Sequence, residues 1–145
     1  MTLNDYDMIT EDYVSYKVAR LLQEKGFDEV CFACYEYFIS SVTLYSGWQF
    51  EYKGETVSNT DERVKCPTLQ MAMKWLREMY NLHIEVYRTA CGYRYIISDV
   101  PSGTDLYGDV DACDEDDISS CQWTTCEKAS ESAIKYCLEN LISRK

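Results

Sequence analysis

Eight cysteines and a single histidine are the residues of this chain with the widest chemical range, and their spacing decides what each could do. Cys31-Phe32-Ala33-Cys34 has the C-x-x-C spacing of zinc knuckles and thiol redox turns. Phe and Ala stand where such turns carry Gly or Pro, and Val30 to Tyr35 reads as a strand, on which Cys31 and Cys34 would point to opposite faces. A redox cysteine also belongs at a helix start, where the dipole lowers the thiol pKa. The thiols are therefore expected to be reduced and to pack as small hydrophobes. Cys121 and Cys126 bracket a helix start at a spacing that matches no zinc motif. Asp109-x-Asp111-x-Cys113 opens like a calcium loop but breaks it at the third ligand and has no Gly next. His83 falls at a strand start and reads as a surface or edge residue. There is no Gly-rich phosphate loop, G-x-S-x-G elbow or H-E-x-x-H pair. No metal, cofactor or catalytic residue is expected, and the chain is not expected to be an enzyme.

The elements that would position any site are organised around one stretch. Pro67 suits a first helical position, with Cys66 or a neighbour as cap and the helix starting near Thr68. Leu69, Ala72, Met73, Leu76 and Tyr80 then recur at helical spacing, widened by Trp75, Met79 and Leu82, while Lys74, Arg77, Glu78 and Asn81 fall on the other face. At Asn81 the period changes to two. Leu82, Ile84 and Val86 alternate with His83, Glu85 and Tyr87, and a second alternating run follows from Tyr93 to Val100. With Thr89 to Gly92 as a four-residue loop, Arg88 faces Tyr93, Val86 faces Tyr95 and Ile84 faces Ile97, which gathers the apolar residues on one side.

Residues 1–10 read as a loose arm. Thr10 to Tyr13 offers a helix start with acids in the first turn, Val14, Val18, Leu21 and Leu22 form its stripe, and Gly26 closes it. Two or three strands are expected between Val30 and Tyr52, and a polar loop from Lys53 to Lys65. Residues 101–123 read as a solvated acidic loop, because Asp105, Asp109, Asp111, Asp114, Glu115, Asp116 and Asp117 crowd it without a cation. Thr124 to Glu127 reads as a capping box for a last helix running to about Ile142. The whole chain, 1–145, is expected to be one α+β domain: an antiparallel sheet with about three helices on one face, in the order α-β-β-(β)-α-β-β-α.

A chain of 145 residues with 46 % hydrophobic content can bury about two-thirds of its unfolded surface without a metal or disulfide. Its formal charge of −11 argues against general binding to phosphate backbones. No stretch has the run of apolar residues a membrane span needs, and Met1 to Asp7 is acidic where an export signal would be basic and then apolar. A cytoplasmic location without membrane contact is expected.

Three stretches, Leu21 to Phe27, Cys66 to Glu78 and Ala133 to Ile142, together resemble a family of small uncharacterised proteins frequent in gut Bacteroides genomes and in their phages and mobile elements. The resemblance covers most of the chain. That family has no assigned activity, so the resemblance implies no site residues. It implies a cytoplasmic accessory protein of phage or mobile-element type.

The leading expectation is therefore a protein-interaction module for a protein partner whose identity and stoichiometry the residues leave open. Thirteen tyrosines and three tryptophans are of the kinds that anchor interfaces, and Tyr35, Tyr37, Tyr45, Trp48 and Tyr52 fall on candidate strands whose uncovered face could present them. One alternative is an acidic surface that imitates DNA and inhibits a nucleic-acid-binding protein. Another is a single-strand nucleic-acid binder using Tyr87, Arg88, Tyr93, Arg94 and Tyr95, which interleave stacking faces with cations. Cross-strand packing explains that pattern equally well.

Overall fold

The computed structural model describes residues 12–38, 41–46, 63–108 and 123–142, with backbone alone at 37–38 and 41–46. The chain is a single α+β domain. Its elements are α1 (Tyr16–Glu24), β1 (Ala33–Phe38), β2 (Ser41–Ser46), β3 (Arg63–Lys65), α2 (Leu69–Tyr80), β4 (Leu82–Arg88), β5 (Tyr93–Asp99), β6 (Asp105–Gly108) and α3 (Cys126–Tyr136), which continues as a π-helical turn over Cys137–Leu141. Among the described residues the strands form two three-stranded antiparallel sheets, β2-β1-β3 and β4-β5-β6, where one sheet was expected. The added strands are short. β3 lies at the end of the expected polar loop and buries only Val64. β6 lies inside the expected acidic loop 101–123, so that segment is not loop throughout. Tyr107 of β6 stacks on Tyr136 of α3, with ring centroids 3.6 Å apart and planes 9° from parallel.

The hairpin register is the one that alternation predicts, with Ile84 opposite Ile97, Val86 opposite Tyr95 and Arg88 opposite Tyr93. Helix starts differ from the sequence reading by a few residues. Thr68, not Cys66, caps α2 by accepting the Met71 N–H at 3.1 Å, so Pro67 precedes the cap. Residues 12–14 do not begin α1. Tyr13 bridges Thr68, the Val14 N–H donates to the Pro67 carbonyl and the Leu69 N–H to the Asp12 carbonyl. This pairing holds 12–14 extended, and Ser15 caps α1 instead, accepting the Val18 N–H. For α3 the cap is Thr125, which accepts the Lys128 N–H, because Trp123 is drawn into a bridge with Tyr93.

The core lies where the helices meet the β4-β5-β6 sheet and β3. Leu22, Val64, Leu76, Ile97, Ile134 and Leu138 are buried with at most 1 % exposure. Asn81 adopts the left-handed conformation (φ 58°) that ends α2 and turns the chain directly into β4, with its N–H on the Leu76 carbonyl. Asn tolerates that conformation better than most side chains. Replacing Leu76 by Ala removes a fully enclosed side chain and is expected to cost about 2–5 kcal/mol in urea unfolding, whereas Arg77→Ala, one residue along on the exposed side, should stay within roughly 0.5 kcal/mol of wild type.

Candidate functional site

The thiols have structural surroundings. Cys31, Cys34, Cys66 and Cys137 are buried, and Cys91 and Cys126 are exposed. Cys31 precedes β1 rather than lying on it, so strand alternation does not set its direction relative to Cys34. The Cys66 thiol donates to the Val14 carbonyl at 3.4 Å, and the Tyr35 hydroxyl donates to the same oxygen at 2.6 Å. Burial pushes Cys31 up to about 12, against the pull of Lys65. Burial likewise pushes Cys66 up to about 12 against its hydrogen bond with Tyr35, and Cys137 up to about 12 as well. Tyr35 is raised chiefly by burial, then by its Cys66 neighbour. Because the thiolate is the nucleophile and the ligand, these groups are held in their unreactive forms. Among the described residues no three His, Cys, Asp or Glu side chains are grouped to hold a metal ion.

The aromatic candidates separate. Tyr35 faces α1, edge-on to Tyr16 at 5.7 Å, and so is tied into the packing. Tyr37 pairs with Val42 and Tyr45 with Cys34 at the backbone level, while Trp48 and Tyr52 lie outside the described residues. On the hairpin, Tyr87 and Arg94 are directly opposite each other on one face, and Arg88 and Tyr93 on the other. The Arg88 guanidinium sits 5.1 Å from the Tyr93 ring centre, Arg94 is buried, and Tyr95 is buried beside Tyr107. The five residues thus divide between two faces of the sheet. His83 is half-buried on β4 opposite Ser98.

Charge is also unevenly placed. Of the 25 Asp and Glu and 14 Lys and Arg, 12 acids and 11 bases lie among the described residues, so that framework is formally −1 and the remaining −10 belongs to segments outside it.

A surface groove of about 340 Å³ runs between α2 and β4, lined by Gln70, Met71, Met73, Lys74, Arg77 and Ile84. Gln70, Met73, Lys74 and Arg77 follow one another at helical spacing, beside the buried stripe of Leu69, Ala72 and Leu76. The Asn81 turn brings β4 back along this face and places Ile84 in the groove wall. Lys74 reaches Glu78 at 4.0 Å, an exposed pair that holds it weakly, and Arg77 is exposed. Sequence periodicity puts Met73 on the core side and the cations on the solvent side; only the position of β4 combines them into one surface. A smaller cleft of about 190 Å³ lies at the N-terminal ends of α2 and α3, where Asp12, Thr68, Cys126 and Glu127 meet. Two further apolar side chains are exposed near the far end of α2: Met79, and Val100, whose N–H donates to the Asn81 carbonyl.

No helix among the described residues is long and apolar enough to cross a membrane. Compared with models of protein families, with curated proteins and with solved structures, the chain matches none.

The buried thiols predict alkaline sensitivity. In the unfolded chain Cys31, Cys66 and Cys137 ionise near 9, and in the fold near 12. Between those values the unfolded chain has released protons that the folded one keeps, so stability falls as pH rises above 9 and gains nothing from these groups below it. Urea midpoints measured at pH 7.5, 9.5 and 10.5 should decrease in that order above pH 9; a constant midpoint would contradict the burial of these thiols.

Proposed function

We propose that the chain is a small protein-interaction module that docks an apolar and acidic segment of a partner protein in the α2–β4 groove. The observation that carries this reading is the composition of the groove: two methionines and Ile84 provide an apolar lining, with Lys74 and Arg77 on the same helix face. Methionine is unbranched and polarisable, so it re-packs around different side chains and is favoured at adaptable binding surfaces. The cations add selectivity for carboxylates and reject basic segments. Burial of Cys31, Cys34, Cys66 and Cys137 and of Tyr95, and the pairing of Arg88 with Tyr93, leave the groove as the better docking candidate. The resemblance to small proteins of phages and mobile elements suits an accessory role of this kind in the cytoplasm.

The test is selection from a random peptide library on the immobilised protein, followed by fluorescence anisotropy with the enriched peptides. Enriched peptides should combine Val, Ile or Leu with Asp or Glu. Met73→Glu and Arg77→Glu should each weaken them on the order of tenfold. Absence of enrichment, or equal binding to the wild type and both variants, would overturn this reading.

A further inference from the structure

We infer that the groove receives its partner segment as an added β-strand along the open edge of β4, an inference that rests on the docking reading above. Among the described residues β4 is terminal in its sheet and pairs with β5 alone. Hydrogen bonds at the two ends of the hairpin fix which groups remain free. The Val100 N–H donates to the Asn81 carbonyl at 2.9 Å and the Thr89 N–H to the Gly92 carbonyl at 2.7 Å. These belong to the same register as the pairs from Leu82↔Asp99 to Arg88↔Tyr93, which run without a bulge. Hydrogen-bonded pairs alternate along antiparallel strands, so the backbone groups of His83, Glu85 and Tyr87 turn toward β5. Those of Ile84 and Val86 turn away from it, and Ile84 also lines the groove.

Edge strands are ordinarily protected by shortness, proline or a bulge. Of the other described edge strands, β3 has three residues, β6 has four with a register shift opposite Ile97 and Ser98, and β2 has six without a bulge but belongs to the other sheet. β4 has seven, with neither proline nor bulge. An extended segment beside it would gain backbone hydrogen bonds from Ile84 and Val86, and alternate side chains would enter the groove beneath α2.

Charge selects the occupant. Lys74 and Arg77 favour a segment with acidic residues among its apolar ones. A second copy of this chain fits poorly. Full antiparallel overlap through the free groups of Ile84 and Val86 sets Glu85 directly against Glu85, a like-charge pair, between chains that each carry −11.

The probe is the tightest peptide from the library selection, methylated at one backbone nitrogen at a time. Loss on the order of tenfold at alternate positions, with little change between them, is the expected pattern. Val86→Pro should weaken the unmodified peptide similarly while far-ultraviolet circular dichroism stays unchanged, since β5 does not use the Val86 N–H. Losses at three- and four-residue spacing, or none, would overturn strand addition and leave the docking reading standing. Failure to select any peptide would overturn both. Reversible dimerisation in sedimentation, abolished by Val86→Pro, would identify a second copy as the occupant and overturn the inference. If the proline variant unfolds, the methylation scan decides alone.

Discussion

The fold depends on burying one face of α3 where α1, α2 and the β4–β5 hairpin converge. Ala129, Ala133, Ile134, Cys137 and Leu138 have no exposed surface. The two alanines let the helix approach closely, and burial of Ile134 and Leu138 contributes on the order of 2 kcal/mol each. Polar contacts then fix the orientation. The Ser15 N–H, at the start of α1, donates to the Glu131 carboxylate of α3. The Lys25 ammonium, at the end of α1, reaches the Ile142 carbonyl at 3.4 Å. With α1 held at both ends and β6 pinned through Tyr107 and Tyr136, α3 connects both sheets to the same core.

This packing accounts for the fate of the reactive residue types. Cys31 and Cys66 lie among the buried apolar side chains of the core, where a thiol behaves as a small hydrophobe and its ionised form is disfavoured. Tyr35 satisfies its hydroxyl on the Val14 carbonyl and leaves its ring in the packing. The surface facing solvent at α2 and β4 is built from less reactive groups, thioethers and long cations. Such a surface is suited to recognition.

Much of the fold was legible from local periodicity. The α2 stripe and the Ile84–Ile97 register follow from side-chain spacing, because each element buries a face matched to its own repeat. Where the sequence misled, a distant partner had changed the outcome. Residues 12–14 look helical until they pair with 67–69, and Thr124 looks like a cap until Trp123 bridges Tyr93. β3 and β6 are too short to establish an alternating pattern, and each packs on the core through one side chain, the buried Val64 and the half-buried Tyr107. Little of the candidate site was legible. Tyr35 carried a sound β-strand signal, but its contact with Tyr16 of the preceding helix α1 is tertiary and has no local pattern. The groove joins residues from both sides of the Asn81 turn, so its shape depends on how β4 lies under α2.

Amide hydrogen exchange of the free protein tests most directly whether the edge of β4 beside the groove is open. Exchange along β4 should alternate, with the amides of His83, Glu85 and Tyr87 protected by β5 and those of Ile84 and Val86 exchanging faster. Uniform protection from Leu82 to Arg88 would contradict the account, because it would mean that the outer edge of β4 is already paired.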